Sequence, residues 1–341
     1  MALTAPRGDR GLRRGSAAIE RASGRGADPG EGLAIPARSV DRTRQLGSAA
    51  AIDRFAGNWR LLAVNEVGVE PATAIDDTGR VHLAWGTAGA DQRGLGCAYR
   101  ATGQWYFAAP PSESGGFRGF AVAPDGTPHF LYLERGRLVH ARAADGEWRT
   151  EDVTGPGATG WHARIALDGN GPVHVVAVGI RGGAQGIRPA QRYVIYTTNA
   201  SGAWRDEVIA GGYDQVALAI DHEGVIHLVA GEGLLYGRRT SGGWAWQEIE
   251  AASSSYGALF PSLAVRDGHL GIVYTASDFT TDGSLVTWAR TDGPAGPAFA
   301  RHPIAAGTTP SLAMSPDGVP VVAFMPCGGE PCAGVSIAFR R

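Results

Sequence analysis

The sequence predicts an all-β protein, a six-bladed β-propeller whose last blade is closed by an N-terminal strand. Three observations support this fold class: a repeated sequence unit, two chain ends that complement each other, and a composition suited to short strands and tight turns. Glycine accounts for 51 of the 341 residues, and the chain has nine Trp but only three Met. Hydrophobic residues make up 44% of the chain, which is enough to bury a large core.

The repeated unit consists of two apolar strands joined by an Asp/Gly turn, and it occurs six times. Its first copy reads AIDDTGRVHLAW over residues 74–85, and the turn glycines recur about every 48 residues, which is the length of a propeller blade. A third strand and a G-x-W hairpin into a fourth strand follow, as in LVHARAADGEW over 138–148. Each repeat therefore predicts four antiparallel strands, named A to D from the inside of the blade outward. The turn glycines are Gly79, Gly126, Gly171, Gly224, Gly268 and Gly318.

The two ends of the chain complement each other. The sixth copy stops after its third strand, SIAFRR over 336–341, whereas FAGNWRLLAVNEV over 55–67 reads as a fourth strand with no repeat before it. We therefore expect the N-terminal strand to pair with the last repeat, which closes the ring and removes two exposed sheet edges. The propeller is predicted to span residues 47–341.

Residues 1–46 differ from the rest of the chain. They are rich in Arg, Gly, Ala and Ser, lack aromatic residues and show no strand or helix period, so they predict a disordered tail. This tail is either a solvated extension or an arm for targeting or for an anionic partner. It has no apolar segment typical of a secretory signal, and no later stretch of about 18 apolar residues follows. The expected location is the cytoplasm, with secretion as the alternative if the natural start lies elsewhere.

The charged residues exclude several classes of function. All 31 basic residues are arginines, which excludes a Schiff-base lysine, a pyridoxal phosphate anchor and the lysine of a phosphate-binding loop. Beyond residue 46 the chain has 22 Arg against 28 Asp and Glu, a balance that does not fit a nucleic-acid-binding surface. We therefore expect no cofactor, no nucleic-acid or membrane partner, and a monomer.

Three hairpins carry a resemblance to a known family. DGEW over 145–148, SGAW over 201–204 and SGGW over 241–244 resemble the degenerate end of the Asp-box, the bacterial neuraminidase repeat. Together with the D-x-x-G-x-x-H first hairpins, they make the chain over 55–341 similar to the sialidase-like propeller superfamily. No copy has the complete S-x-D-x-G-x-T-W box, and the F/Y-R-I-P start of sialidases is missing. The resemblance implies a propeller and leaves glycosidase, polysaccharide lyase and non-catalytic binding functions open.

Two recurring residue types are interpreted as structural. Four histidines each follow a turn glycine by three residues, and equivalent positions in neighbouring blades lie about 10 Å or more apart, too far to share one zinc ion. We expect them to hydrogen-bond their own turn or the neighbouring blade, and we predict no metal site. The histidines are His82, His129, His174 and His227. The tryptophans of the C–D hairpins are expected to pack between blades; they are Trp59, Trp105, Trp148, Trp204 and Trp244.

The loops from strand D to strand A, and from B to C, vary between copies and are predicted to share one face of the propeller. Variable loops on a rigid scaffold are where function is usually found, and these loops concentrate aromatic and arginine side chains. Such side chains suit a glycan or another anionic, ring-containing small molecule at the axial mouth. The predicted ligand-binding residues are Arg118, Trp161, Arg164, Arg188, Tyr256 and Phe260.

Three functions fit this face, and the sequence leaves the choice between them open. The first is ligand binding without catalysis. The second is a lyase or glycoside hydrolase that uses His162, Tyr213 and Asp214, or the loop carboxylates Glu70 and Glu113, as acid and base. The third is a scaffold that grips another protein. The irregular loops favour one asymmetric site over six equivalent lectin sites.

Three cysteines remain. Cys327 and Cys332 flank GGEP in the B–C loop of the sixth copy, where a disulfide would stiffen the rim. In a reducing compartment the same pair would instead be free thiols or a weak metal pair. Cys97 is expected to be a small buried hydrophobic residue of the first copy.

Overall fold

The structure is a computed structural model, and all of its described residues lie between Phe55 and Arg340. The chain divides into two units, Met1–Glu31 and Gly32–Arg341, and the described residues belong to the second. The tail predicted over 1–46 therefore lies outside the described residues. The described ranges are 55–56, 59–65, 68–87, 94–101, 103–108, 110–112, 115–153, 162–169, 171–181, 191–231, 233–250, 256–278, 283–291, 299–327, 332 and 334–340.

All regular structure in these ranges is β-strand, as predicted, and we find no helix there that could cross a membrane. Two short strands come first, β1 (Phe55–Ala56) and β2 (Trp59–Asn65). The next two repeats form β3 (Gly68–Ile75), β4 (Val81–Thr87), β5 (Leu95–Ala101), β6 (Gln104–Ala108), β7 (Gly116–Val122), β8 (Pro128–Glu134), β9 (Arg137–Ala144) and β10 (Glu147–Asp152). The third and fourth repeats form β11 (Ala163–Leu167), β12 (Val173–Arg181), β13 (Gln191–Thr198), β14 (Arg205–Gly211), β15 (Val216–Ile220), β16 (Ile226–Ala230), β17 (Leu235–Thr240) and β18 (Gly243–Glu248). The last strands are β19 (Tyr256–Arg266), β20 (His269–Asp278), β21 (Gly283–Thr291), β22 (Phe299–Met314), β23 (Pro320–Pro326) and β24 (Val335–Arg340).

The first four repeats each form a separate four-stranded antiparallel sheet, with neighbouring strands in chain order. This confirms the predicted succession of strands A to D in those repeats. The turn glycines between strands A and B have positive φ angles, for example 78° at Gly79 and 88° at Gly126. Only glycine adopts this conformation at low cost, which explains why glycine returns at the same point of each repeat.

The last two repeats correct the predicted blade count. They share one eight-stranded sheet with the order β1-β2-β24-β23-β22-β21-β20-β19, so the structure has four separate four-stranded blades where six were predicted. The physical reason is the 16-residue strand β22. Its first half, Phe299 to Ala306, pairs with β21, and its second half, Gly307 to Met314, pairs with β23. Because β22 is not interrupted, hydrogen-bonded pairing continues from the fifth repeat into the sixth.

The N-terminal strand closes the last repeat as the sequence predicts. Strand β2 pairs antiparallel with β24, from the Trp59–Arg340 pair to the Asn65–Val335 pair. The sixth repeat therefore takes its outer strand from the opposite end of the described chain. This pairing covers the edge of β24 that would otherwise be exposed.

Six apolar clusters join neighbouring repeats. In one of them, Leu131 and Val153 of the second repeat pack with Ala163 and Val175 of the third. The tryptophans of the C–D hairpins lie in or against five of these clusters, which confirms that they pack between repeats. These residues are Trp59, Trp105, Trp148, Trp204 and Trp244.

The first strand of each repeat lies innermost. The six inner strands β3, β7, β11, β15, β19 and β22 contact one another in this order, and β22 returns to β3. Residues from all six line a single central channel. This is a propeller arrangement, and it brings the N-terminal ends of the inner strands together at one end of the channel.

Candidate functional site

The central channel holds a cavity of about 240 Å³. Small side chains form much of its wall, because each inner strand contributes an alanine one or two residues before its last position. These residues are Ala74, Ala121, Ala166, Ala219, Ala264 and Ala313. Methyl groups give this part of the cavity shape but no polar chemistry.

Charged and aromatic side chains reach the cavity near the N-terminal ends of the inner strands. At the position two residues before the alanine ring, five repeats have Ala, Gly or Ser, whereas the third repeat has Arg164. Glu70, Arg118, His162 and Phe260 also line the cavity at this end. We call these five residues the collar.

Irregular strand pairing positions much of the collar. The pairing of β3 with β4 shifts between Val69 and Ala72, and equivalent shifts occur in β7, β19 and β22. At these shifts Glu70 and Phe260 have φ angles of 49° and 52°, which are unusual for residues other than glycine. Such bulges redirect side chains and are frequent beside functional sites.

Arg164 is the most informative residue of the collar. It is half-buried, and its Nη1 donates to the carbonyl oxygens of Ala163 (2.9 Å) and of Arg118 (3.3 Å) on the neighbouring inner strand. No carboxylate of the described chain lies within ion-pair distance of it. Burial lowers the pKa of Arg164, Glu70 acts in the opposite direction, and the positive charge of Arg118 lowers it further. The protein thus holds a cation in the channel wall with little compensation.

Arg118 adds a second guanidinium to the same end of the cavity. Its Nη1 donates to the carbonyl oxygen of Phe117 at 2.6 Å. Burial lowers its pKa and the charge of Glu70 raises it. Two arginines beside one cavity create a positive potential that suits a carboxylate or sulfate.

His162 lies beside the arginines as a neutral base. Burial and, to a lesser extent, the charge of Arg164 lower the pKa of its imidazole to about 4, against the opposing effect of Asp214. The ring is therefore uncharged at pH 7. Its centroid lies 5.9 Å from that of Phe260, and no hydrogen bond to its side chain occurs among the residues that the structure describes. Its nitrogens are available to a ligand.

The serines that occupy the position of Arg164 in the last two repeats have a structural role. Ser262 accepts a hydrogen bond from the Leu312 amide at 3.0 Å, and Ser311 accepts one from the Thr73 amide at 2.9 Å. Each bond crosses from one inner strand to the next. These side chains hold the ring together, and the chemical capacity of the site lies with the collar.

The structure does not bring Tyr213 and Asp214 into the cavity with His162. Both line a separate groove of about 580 Å³ between the third and fourth repeats. Asp214 forms an ion pair with Arg192 at 3.0 Å there. The proposed acid and base partners of His162 thus line a different cavity from its imidazole.

The remaining predicted site residues divide into two groups. Trp161 and Arg188 lie outside the described residues, and Tyr256 begins β19 without a described side chain. Sequence reasoning missed Thr309, whose hydroxyl lines the cavity and is buried without a partner among the described atoms. Alignment of the six inner strands is the signal that would have found it, because Thr309 occupies the position of His162 in the last repeat.

Two of the four repeated histidines hydrogen-bond their own turns at the other end of the inner strands. The Nε2 of His82 donates to Asp76 at 3.0 Å, and that of His227 donates to Asp221 at 3.1 Å. The Nδ1 of His227 also accepts from the hydroxyl of Tyr236 at 2.7 Å. The structural interpretation is confirmed for these histidines.

The second and third repeats use other partners for their histidines. His129 hydrogen-bonds His140 at 2.9 Å, and His140 bonds Glu151 at 2.9 Å. In the third repeat, His174 bonds the hydroxyl of Tyr196 at 2.5 Å. Within the described ranges there is no group of three or more side chains that could hold a metal ion.

Two of the three cysteines are bonded to each other, and the third is buried as a free thiol. Cys327 and Cys332 form a disulfide in the sixth repeat. Cys97 is buried, its thiol donates to the Ala108 carbonyl, and burial raises its pKa to about 12. It is an inert core residue, as predicted.

Comparison with known proteins supports the fold. No protein-family profile and no curated protein matches this sequence. Similar solved structures include a protein of unknown function from Dyadobacter fermentans, with a TM-score of 0.59 and 12% identity over 83% of this chain and all of that one. A fucose-specific lectin from Aleuria aurantia has a TM-score of 0.57 and 12% identity, covering 81% of this chain and 98% of its own. A gluconolactonase from Xanthomonas campestris has a TM-score of 0.54 and 14% identity, covering 86% and 93%.

At these identities the likeness concerns the fold alone. The lectin and the gluconolactonase are β-propeller proteins, so the chain is identified as a β-propeller. The resemblance to the sialidase-like superfamily stays a prediction, since no family profile supports it.

Proposed function

We propose that the protein binds an anionic small molecule, a glycan or another ring compound that carries a carboxylate or sulfate, at the collar of the channel. Arg164 carries this proposal. It places a half-buried guanidinium in the cavity wall where five repeats have small side chains, and in the described chain only carbonyl oxygens accept its hydrogen bonds. A guanidinium fork matches the two oxygens of a carboxylate or sulfate, and partial burial strengthens that interaction.

The rest of the collar supports a sugar or another ring compound. Phe260 and the neutral His162 provide flat faces, and Glu70 provides an acceptor for hydroxyl groups. The fucose-specific lectin and the gluconolactonase, which share the fold, are both named for sugar-derived ligands. A carbohydrate acid is therefore the first ligand class to test.

We also propose that the eight-stranded sheet consists of two blades joined through β22, which makes six blades in total. Six inner strands surround the channel, and six apolar clusters join neighbouring repeats. A six-bladed ring with a single collar gives one asymmetric ligand site.

The test is a calorimetric binding screen with the purified full-length chain. The probes are glucuronate, galacturonate, N-acetylneuraminate and sulfated monosaccharides, each paired with its neutral counterpart. We expect at least one acid to bind and its neutral counterpart not to bind. The proposal is wrong if neutral sugars bind as tightly as the acids, or if none of the acids binds.

Two arginine variants locate the site. Arg164→Gln should weaken binding of the acid roughly 100-fold or more, because charged hydrogen bonds contribute about 1.5–3 kcal/mol each. Arg149→Gln is the matched control: Arg149 is exposed on an outer strand and pairs with Asp145 at 2.5 Å. Equal affinity in the parent and in Arg164→Gln would place the site elsewhere.

A lyase or glycoside hydrolase at the same cavity is the second candidate, and His162 favours it. A neutral imidazole beside two guanidinium groups can accept a proton while the arginines stabilise developing negative charge. Product analysis with each bound ligand decides between the two. In an enzyme, His162→Ala should lose turnover and keep most of its affinity, whereas a binder shows no turnover in the parent either.

A further inference from the structure

A second cavity lies close to the collar. It is the groove of about 580 Å³ between the third and fourth repeats, and it contains neither Arg164 nor His162. We call it the outer groove. Five side chains give it its chemistry: Arg192, Tyr213, Asp214, Glu248 and Glu250.

Most charges of the outer groove are already balanced. Asp214 pairs with Arg192 at 3.0 Å, and Glu250 pairs with Arg301 at 2.9 Å. The Arg192 and Asp214 side chains remain 55% and 35% exposed, so they can still take part in further hydrogen bonds. A guanidinium and a carboxylate side by side offer donors and acceptors to adjacent hydroxyl groups, and being paired they offer little net charge to an ion.

Tyr213 adds a flat aromatic surface to these polar groups. Its ring lies directly against Gly231, where a Cβ would approach the ring Cδ1 to 2.7 Å, so the absence of a side chain there is necessary. Gly231 is itself held by its amide, which donates to the Gln215 carbonyl at 3.0 Å. The half-buried ring is thus fixed in position and still lines the groove. An aromatic face combined with hydroxyl-binding groups is the combination that a sugar ring requires.

The groove and the collar meet at the short segment that leads into β15. Tyr213 and Asp214 directly precede Gln215, whose side chain accepts a hydrogen bond from the amide of Phe260 in the collar. Two residues later, Ala217 already lines the channel. The charge of Asp214 also acts on the imidazole of His162. The collar and the outer groove are therefore neighbours on either side of Gln215.

We propose that the outer groove binds a neutral sugar residue of an acidic oligosaccharide whose charged residue occupies the collar. This inference rests on the proposed function, because the collar provides the anchor for the acid. Tyr213 would stack on the neutral ring, and the Asp214–Arg192 pair would bind its hydroxyl groups. The expected ligand is then a sugar acid linked to a neutral sugar, and not a free sugar acid.

The experiment compares free and linked acids by calorimetry. Glucuronate, galacturonate and N-acetylneuraminate are each measured alone and as a di- or trisaccharide in which the same acid is linked to neutral sugars. We expect at least one linked acid to bind about tenfold or more tightly than the free acid. Tyr213→Ala and Asp214→Asn should each reduce this gain, whereas Tyr106→Ala, at a tyrosine 40% exposed on an outer strand, should keep it.

The outcomes separate the two proposals. If a free acid binds but linking it brings no gain, or if the gain survives both groove substitutions, the outer groove is not a subsite and the collar proposal stands. If no acid binds, free or linked, both proposals are overturned. Melting curves of the variants check that they fold, and Asp214→Asn preserves shape and packing if Tyr213→Ala does not fold.

Discussion

The two ends of the inner strands differ in how their polar groups are satisfied. At the turn end, the buried pairs Asp76–His82 and Asp221–His227 recur in different repeats. At the collar end, Arg164 occurs in one repeat only, and its partners in the described chain are carbonyl oxygens. Groups that repeat along this chain hold the fold together. Groups that depart from the repeat are placed where a ligand can satisfy them.

The pKa shifts show the same contrast. At Asp76, burial is the largest influence and raises the pKa, yet hydrogen bonds from Thr78, His82 and Arg80 together outweigh it and lower the pKa. At Arg164, burial lowers the pKa and is not offset by a comparable partner. The turn end compensates for the cost of burying charge, and the collar end does not.

Breaking a pair at the turn end should have the largest effect on stability. His227→Ala removes the hydrogen bonds to Asp221 Oδ2 and to the hydroxyl of Tyr236, while Asp221 Oδ1 keeps its bonds from two backbone amides. We expect the free energy of unfolding to fall by about 2–3 kcal/mol in urea denaturation, with ligand binding at the collar unchanged. His222→Ala, at an exposed neighbouring residue, is the control. If the free energy of unfolding falls no further than in the control, the pair has no structural role.

The hydrogen-bonded histidines of the second repeat, His129 and His140, allow the turn end to be tested through the pH dependence of stability. Burial and, to a lesser extent, neighbouring positive charge lower the pKa of His129 to about 3, and burial also lowers the pKa of His140. The unfolded chain therefore takes up these protons first, near pH 6.5, so stability is complete above that pH and falls as pH drops toward 3. His129→Gln should make the decline shallower by up to about 1.4 kcal/mol per pH unit. Urea titrations at several pH values measure this slope, and identical slopes in both proteins would contradict the assignment.

Replacing Arg164 of the collar should change the free energy of unfolding in the opposite direction to breaking a pair at the turn end. Arg164→Ser makes the third repeat like the fifth and sixth, and it removes a half-buried charge that forms no ion pair with a carboxylate among the described residues. We expect the free energy of unfolding to rise by about 1 kcal/mol while ligand binding is lost. Arg149→Ser should change stability by less than about 0.5 kcal/mol, as is usual for exposed positions. A clear loss of stability in Arg164→Ser would mean that this arginine serves the fold.

The smallest expected effect is the pH dependence of binding. Below pH 5 the imidazole of His162, with a pKa of about 4, begins to protonate and adds positive charge to the collar. A sulfated sugar stays ionised, so its affinity should rise about three- to fivefold between pH 6 and pH 4 if binding raises that pKa by about one unit. The His162→Asn variant should show no rise. Calorimetry at both pH values, with melting curves to verify folding at pH 4, makes the comparison.

Much of the fold was predictable because it depends on local sequence patterns that recur in each repeat. The turn glycines, the hairpin tryptophans and the closing strand near Trp59 each carry a signal that a single sequence contains. The joining of two repeats through β22 carries none, because Pro303 and Pro310 read as interruptions of a strand. In the structure Pro310 lies at a register shift, where a missing amide is tolerated, and the strand continues through both prolines.

The site was predictable in residue type more than in arrangement. Arg118, Arg164, His162 and Phe260 line one cavity, although all but His162 lie within the inner strands and not in the loops before them, where the sequence placed them. The direction of Tyr213 depends on its contact with Gly231, a residue from another part of the repeat. Such contacts between distant segments have no periodic trace in a sequence, so the separation of groove and collar required the structure.

The pairing of β2 with β24 has a consequence for how the protein is made. Trp59 is paired with Arg340, so the ribosome completes nearly all of the described chain before this contact can form. Until then β2 is paired only with the two-residue strand β1, and the sixth repeat lacks its outer strand. Contacts between such distant residues slow folding and prolong the exposure of strand edges. The ring therefore closes only after β24 has been synthesised, and the exposed edge of β2 is the segment that a chaperone would have most reason to shield in a nascent chain.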